Sequence, residues 1–276
     1  VKEEGNVMRI ELVQLPGQDC NIEANLESAL AAIARCSPET DLIVFPETYL
    51  TGFPTADNIG HLAQPLDGSL LRSIQRACQE RNVAVAIGTA EACDGKFYNT
   101  TSLITPNGIA MAYRKTHLWA SDKGVFHAGN RMMTCEWNGL RVGILICYDI
   151  EFPETARALA SLGADLLIVT NGNMDPYGMV HRNAIIARAM ENQVFAAMVN
   201  RCGEGDGLTF AGGSCVVDPF GNVLVECGRE PVQLAIDIDL SQLATSRSQY
   251  RYLSDRRMTL SGEIHELPNG IRELHF

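Results

Sequence analysis

Four short runs of nearly uninterrupted apolar residues constrain the fold of this chain more than any other feature: Leu42 to Phe45, Val83 to Ile87, Val142 to Ile146 and Leu166 to Val169. Each is too short for a helix and lacks the alternation of a strand with one face in water, so each reads as a strand buried on both faces. Between them apolar residues recur at helical spacing, as at Leu26, Ala29, Leu30 and Ile33, at Leu70, Leu71, Ile74 and Ala77, and again at Ala184, Ile185 and Ala189. A short helix is predicted over Thr155 to Leu162. Apolar strands alternating with helices imply an α/β protein whose sheets are covered by helices. The segments Asp41-Leu-Ile-Val and Asp165-Leu-Leu-Ile-Val each follow a helical stretch, which suggests two related halves.

The remaining segments are plainer. Thr105-Pro-Asn-Gly108 is a hairpin signal within short strands from Phe97 to Tyr113. Val194 to Asn200 and Ser214 to Val217 read as strands, and Val232 to Ile238 as the last one. The tail from Ser241, with Arg247, Arg251, Arg256 and Arg257 among polar residues, is expected to be a solvated helix without a binding role. Met8-Arg-Ile-Glu-Leu-Val-Gln-Leu15 has the look of a native start, so residues 1–7 are expected to be an expression remnant and 8–276 a single domain with a C-terminal tail.

Charge and cysteine content exclude several functions. A net charge of −11 without any cluster of Lys and Arg argues against nucleic acid or an anionic membrane as partner. No stretch approaches the roughly 18 apolar residues of a membrane span. The nine cysteines are scattered, with no Cys-x-x-Cys pair or His partner spacing, so neither a disulfide scaffold nor a metal site is expected, and a reduced cytoplasmic setting fits.

Chemistry concentrates at strand ends. Cys147 ends an apolar strand just before Pro153, a residue suited to the first turn of a helix; a cysteine there can lie over the positive end of that helix, which favours its thiolate. Glu47 and Lys115 also follow strands, and the ends of adjacent strands in α/β folds converge on one cleft.

Taken together the motifs are specific. Phe45-Pro-Glu-Thr-Tyr-Leu-Thr-Gly-Phe53, Tyr113-Arg-Lys-Thr-His-Leu118, and Gly143-Ile-Leu-Ile-Cys-Tyr-Asp149 with Phe152-Pro-Glu154 resemble, in order, the three motifs of the nitrilase superfamily of carbon–nitrogen hydrolases. The likeness runs from Met8 to about Asp239 and includes Phe210-Ala-Gly-Gly-Ser214. It implies a four-layer α-β-β-α sandwich, doubled in a homodimer, with no metal or organic cofactor. By this resemblance Cys147 is the nucleophile, Glu47 the general base, and Lys115 with the backbone N–H of Tyr148 the oxyanion holder. A further glutamate of the family is replaced here by Asp122, the nearest match for an auxiliary acid. Asn171, Asn173 and Trp119 are expected to bind substrate, with Met174, Tyr177, Phe53 and Phe210 as further walls.

The implied activity is hydrolysis of a linear carboxamide through a cysteine thioester, as in bacterial amidases. N-carbamoyl amino acid hydrolysis and nitrile hydrolysis use the same three residues, and a catalytically silent binding protein is the reading from another class. A carbamoyl amino acid would need a cation for its carboxylate, and the sequence assigns no arginine to that task.

Overall fold

The computed structural model describes residues 7–205, 207–259 and 261–276. Residues 1–6 of the segment set apart as a remnant lie outside the described residues, but Val7 belongs to the fold, pairing with Asp239 at the start of the first strand.

The strands are β1 (Val7–Gln14), β2 (Leu42–Val44), β3 (Ala84–Cys93), β4 (Lys96–Thr105), β5 (Gly108–Arg114), β6 (Arg131–Trp137), β7 (Leu140–Ile146), β8 (Leu166–Asn171), β9 (Phe195–Asn200), β10 (Cys202–Gly205), β11 (Leu208–Ala211), β12 (Cys215–Val217), β13 (Val223–Glu226), β14 (Val232–Asp239), β15 (Glu263–Glu266) and β16 (Arg272–His275). The helices are α1 (Ile22–Arg35), α2 (Ile59–Leu62), α3 (Ser69–Arg81), α4 (Pro153–Ser161), α5 (Gly178–Asn192), α6 (Ser241–Gln249) and α7 (Tyr252–Asp255). They build a six-stranded sheet of order β14-β1-β2-β3-β4-β5 and an eight-stranded sheet of order β13-β12-β9-β8-β7-β6-β16-β15. The sheets lie face to face, with helices on their outer faces: an α-β-β-α sandwich.

Parity along the buried strands explains why their sequences are apolar throughout. Leu42 and Val44 of β2 and Ala84 and Ala86 of β3 face the layer between the sheets, whereas Ile43, Val85 and Ile87 face outward onto Ile33 of α1 and Ile74 of α3. Each strand therefore buries both faces, each fully covered aliphatic side chain contributing about 1.5–3 kcal/mol.

The two halves suggested by the sequence are a duplicated topology. In one, β14 runs antiparallel to β1, then β1, β2 and β3 are parallel, then β4 and β5 antiparallel. In the other, β6, β7, β8, β9, β12 and β13 repeat that order and those directions. The two aspartates mark the repeat: the Arg9 N–H donates to Asp41 Oδ2 at 2.8 Å and the Arg141 N–H to Asp165 Oδ2 at 3.1 Å, each tying a parallel strand to its neighbour. Helices α3 and α5 both end on a left-handed residue, Asn82 and Gln193, before the third strand.

The tail differs from expectation. Helix α6 is present, but Arg247 bonds Asp165 and the carbonyls of Gln193 and Ala164 rather than solvent alone. Val232–Asp239 is not the last strand, because β15 and β16 form a hairpin that extends the larger sheet beside β6. All four residues of β15 are exposed, so no hydrophobic alternation marks it.

Candidate active site

Glu47, Lys115 and Cys147 follow β2, β5 and β7, and duplication brings these strand ends to one cavity of about 190 Å³, smaller than the ~300–1,000 Å³ of drug-sized sites. Glu47 is held by its backbone, whose N–H donates across the sandwich to the Asn171 carbonyl at 3.3 Å. Its Oε1 accepts from Lys115 Nζ and from Asn99 Nδ2, both at 2.7 Å. Lys115 Nζ donates also to Asp122 Oδ2 at 2.7 Å, and the Trp119 N–H donates to the same oxygen at 2.9 Å. Asp122 is buried, and its carboxylate holds the Lys115 ammonium.

Cys147 opens a five-residue 3-10 turn, Cys147–Glu151, with its own backbone at φ +47°. A left-handed non-glycine residue costs of order 1 kcal/mol or more and persists only where its surroundings impose it. The impositions are visible. Asp149 Oδ2 accepts from the Ile146 N–H at 3.1 Å and from the Tyr113 hydroxyl at 2.9 Å, while Oδ1 accepts from the Thr116 hydroxyl and the His117 N–H. One buried carboxylate thus locks the cysteine turn to the lysine loop. At the other end of the turn, Arg188 donates to the carbonyls of Ile150 and Glu151. The N–H of Tyr148, second in this turn, is among those a helical turn leaves without an internal partner.

Gly172, after β8, has to be glycine. A Cβ there would lie 2.3 Å from the Phe53 ring and 2.8 Å from Glu47 Oε2, and the Gly172 backbone is close enough to the Cys147 sulfur to favour its charged form.

The electrostatics correct the expected thiolate. Burial, then the negative charge of Glu47, push the Cys147 thiol well up, outweighing Lys115 and the Gly172 backbone. The helix that was to stabilise a thiolate begins only at Pro153, so Cys147 rests as a thiol. Burial also raises the Glu47 carboxyl, with Lys115 pulling the other way. Burial works against a charged Lys115, but Glu47 and Asp122 together hold it protonated well above the ordinary lysine range.

Of the expected substrate contacts, Trp119, Asn173, Met174, Tyr177, Phe53 and Phe210 line the cavity. Asn171 does not. Strand parity sends Thr170 to the inter-sheet layer, where it bonds Thr101 at 2.6 Å, and turns Asn171 to the opposite face, onto His181 Nδ1 at 3.0 Å. Sequence reading missed Asn99, Glu151 and His181. Glu151 lies between the cysteine and the Phe152-Pro-Glu154 motif, so its position was the available signal; Asn99 and His181 had none.

Two stacked sheets flanked by helices, with a buried carboxylate, ammonium and thiol meeting at strand ends, define a thiol-dependent hydrolase. The chain belongs to the carbon–nitrogen hydrolase family, whose model matches residues 9–248. It is 58% identical over 268 residues to an (R)-stereoselective amidase of Pseudomonas sp., covering 97% of this chain and 98% of that protein. Among solved structures it is similar to an amidase from Nesterenkonia sp. with a TM-score of 0.82 and 29% identity, covering 92% of this chain and 95% of that one. A mutant of that amidase carries the acetamide moiety of fluoroacetamide covalently added at its active-site cysteine, at a TM-score of 0.82, 28% identity, and 93% and 96% coverage.

Proposed function

We propose that the protein is an amidase that hydrolyses the C–N bond of a small linear carboxamide through a Cys147 thioester, releasing ammonia and a carboxylic acid. The observation that carries this reading is the Lys115 ammonium clamped between Glu47 and Asp122 beside a strand-end thiol. Glu47 takes the thiol proton as Cys147 Sγ attacks the carbonyl carbon. Lys115 Nζ and the Tyr148 N–H stabilise the oxyanion where charge develops. The protonated Glu47 passes its proton to the departing nitrogen, the C–N bond breaks, and ammonia leaves. The same carboxylate then draws a proton from water, which attacks the thioester, and the acid departs as the thiol is restored.

Two features favour an amide over an N-carbamoyl amino acid. Lys115 is committed to two carboxylates, and Arg201, behind the Phe53 and Phe210 rings, is bound to Asp19 and the Gly17 carbonyl and does not line the cavity. The presence of all three reactive side chains around one cavity, with Lys115 bonded to Glu47, speaks against a silent binding protein. Ammonia release from a panel of small carboxamides, nitriles and N-carbamoyl amino acids tests the reading. Turnover confined to carboxamides is expected, and turnover of nitriles or carbamoyl amino acids alone would contradict it.

Asp122 acts by holding Lys115 in place. Asp122→Asn keeps the shape and the acceptor for Trp119 but removes a charge-assisted bond to a buried ammonium, so kcat is expected to fall about tenfold or more, with Asp122→Glu retaining a larger share. Steady-state kinetics on two amides check this, and wild-type values for Asp122→Asn would contradict it.

The assembly we propose is a homodimer in the cytoplasm. All nine cysteines are unpaired, as suits a reducing compartment, and no described helix is long and apolar enough to cross a membrane. Met179, Val180 and Met190 of α5 are exposed, and Phe220 precedes a glycine packed on Met190. Light scattering at micromolar concentration is expected to give twice the 30.1 kDa chain mass, and a monomer would contradict it.

A further inference from the structure

The reactive trio accounts for only part of the cavity, and the rest has chemistry that hydrolysis alone does not use. Glu151 ends the 3-10 turn that Cys147 begins, so at about 2 Å rise per residue their Cα atoms stand about 8 Å apart, and both line the cavity. Glu151 Oε1 accepts from His181 Nε2 at 2.9 Å. Its Oε2 has no hydrogen-bond partner among the described residues, and the side chain remains 29% exposed. Arg188 fixes the carbonyls of Ile150 and Glu151, so the carboxylate stands on a rigid base. Asn173 lines the same cavity, and its Oδ1 is buried without a partner among the described residues. Aromatic rings complete the wall, with Trp119 edge-on to Tyr148 at 5.0 Å and to Tyr177 at 5.8 Å.

We infer that this part of the cavity binds an ammonium group, that the preferred substrate is a carboxamide bearing a protonated amine, and that Glu151 is the residue that selects it. This rests on the amidase reading above. Two acceptors without a hydrogen-bond partner among the described residues, together with π faces, attract a cation. Charge points the same way. Glu47 and Asp122 set two carboxylates against the one Lys115 ammonium, and Glu151 adds a third beside His181, so with the carboxylates ionised the cavity is not positive whichever way the imidazole proton stands. An amide carrying a carboxylate would meet Glu151 and the Asn173 oxygen with its own negative charge.

The test compares racemic alaninamide with isobutyramide, which has the same shape with a methyl in place of the ammonium, and with succinamic acid as the anionic amide. Ammonia release is followed at about pH 6.5, below the ~7.7–8.0 of an α-amino group. The wild type is expected to favour alaninamide over isobutyramide by about tenfold or more in kcat/KM, the scale of one partly exposed charge pair, with succinamic acid the poorest. Glu151→Gln is expected to lower the alaninamide-to-isobutyramide ratio about tenfold, chiefly through the alaninamide KM; taking the ratio cancels general damage to the site. A wild type that turns over isobutyramide as well as alaninamide, or a ratio unchanged in Glu151→Gln, overturns the inference and leaves the amidase reading standing. Turnover of no amide at all overturns both. Should Glu151→Gln fail to fold, the wild-type order of the three amides decides alone.

Discussion

Cys147→Ala is expected to abolish turnover, by at least about 10⁴-fold, while the protein stays folded. Among the described residues no other thiol lines the cavity, so no group there replaces the lost nucleophile. The structural cost is small. One sulfur is removed from a side chain that borders an open cavity, and the left-handed backbone at φ +47° is no harder for alanine than for cysteine. Loss of one such contact amounts to about 1 kcal/mol, a shift of a few degrees in Tm. Ammonia release alongside a thermal melt separates the two effects. A variant that still hydrolyses amides, or one that does not fold, would contradict the assignment of Cys147 as a nucleophile that contributes little to packing.

Glu47→Gln is expected to stop both halves of the reaction, lowering kcat by about 10²–10⁴-fold. Glutamine can still accept from Asn99 and Lys115, so geometry is largely kept, but it cannot take a proton. The thiol makes this loss severe: burial and Glu47 hold Cys147 protonated, so attack needs a base at the moment of bond formation. A burst of ammonia from Glu47→Gln before turnover stalls would show that another group serves acylation. The wild-type pH profile follows from the same group. Glu47 acts ionised, and burial raises its pKa, so kcat/KM is lost as pH falls through a value above the ~4.3 of an ordinary glutamate. An acid limb at that ordinary value would contradict the raised carboxyl.

That Glu47, Lys115 and Cys147 meet at one cavity was legible because each follows a strand inside a run whose residues also shape the turn, as Asp149 and Pro153 do around Cys147. The duplication was legible from a single device, the aspartate that opens a parallel strand, because Asp41 and Asp165 make the same bond to a neighbouring strand. Other features depend on contacts between segments far apart in the chain. Whether Asn171 or Asn173 faces the cavity is a matter of where β8 ends and the loop begins, and a shift of one residue reverses the answer. The state of the Cys147 sulfur required the length of its turn and the position of Glu47, neither of which the apolar pattern records. Asp122 was noticed as a departure from the family pattern, yet its value lay in burial against Lys115, visible only once the loop is folded. The hairpin of β15 and β16 had no pattern to read, since its outer strand is exposed and charged.

The central claim is a covalent acyl group on Cys147, and intact-protein mass spectrometry of the wild type quenched during turnover of a slow amide tests it most directly. The predicted result is one added acyl group, the mass of the amide less ammonia, carried by the peptide that contains Cys147 and absent from Cys147→Ala. An adduct on any of the other eight cysteines, or the same adduct on Cys147→Ala, would contradict it.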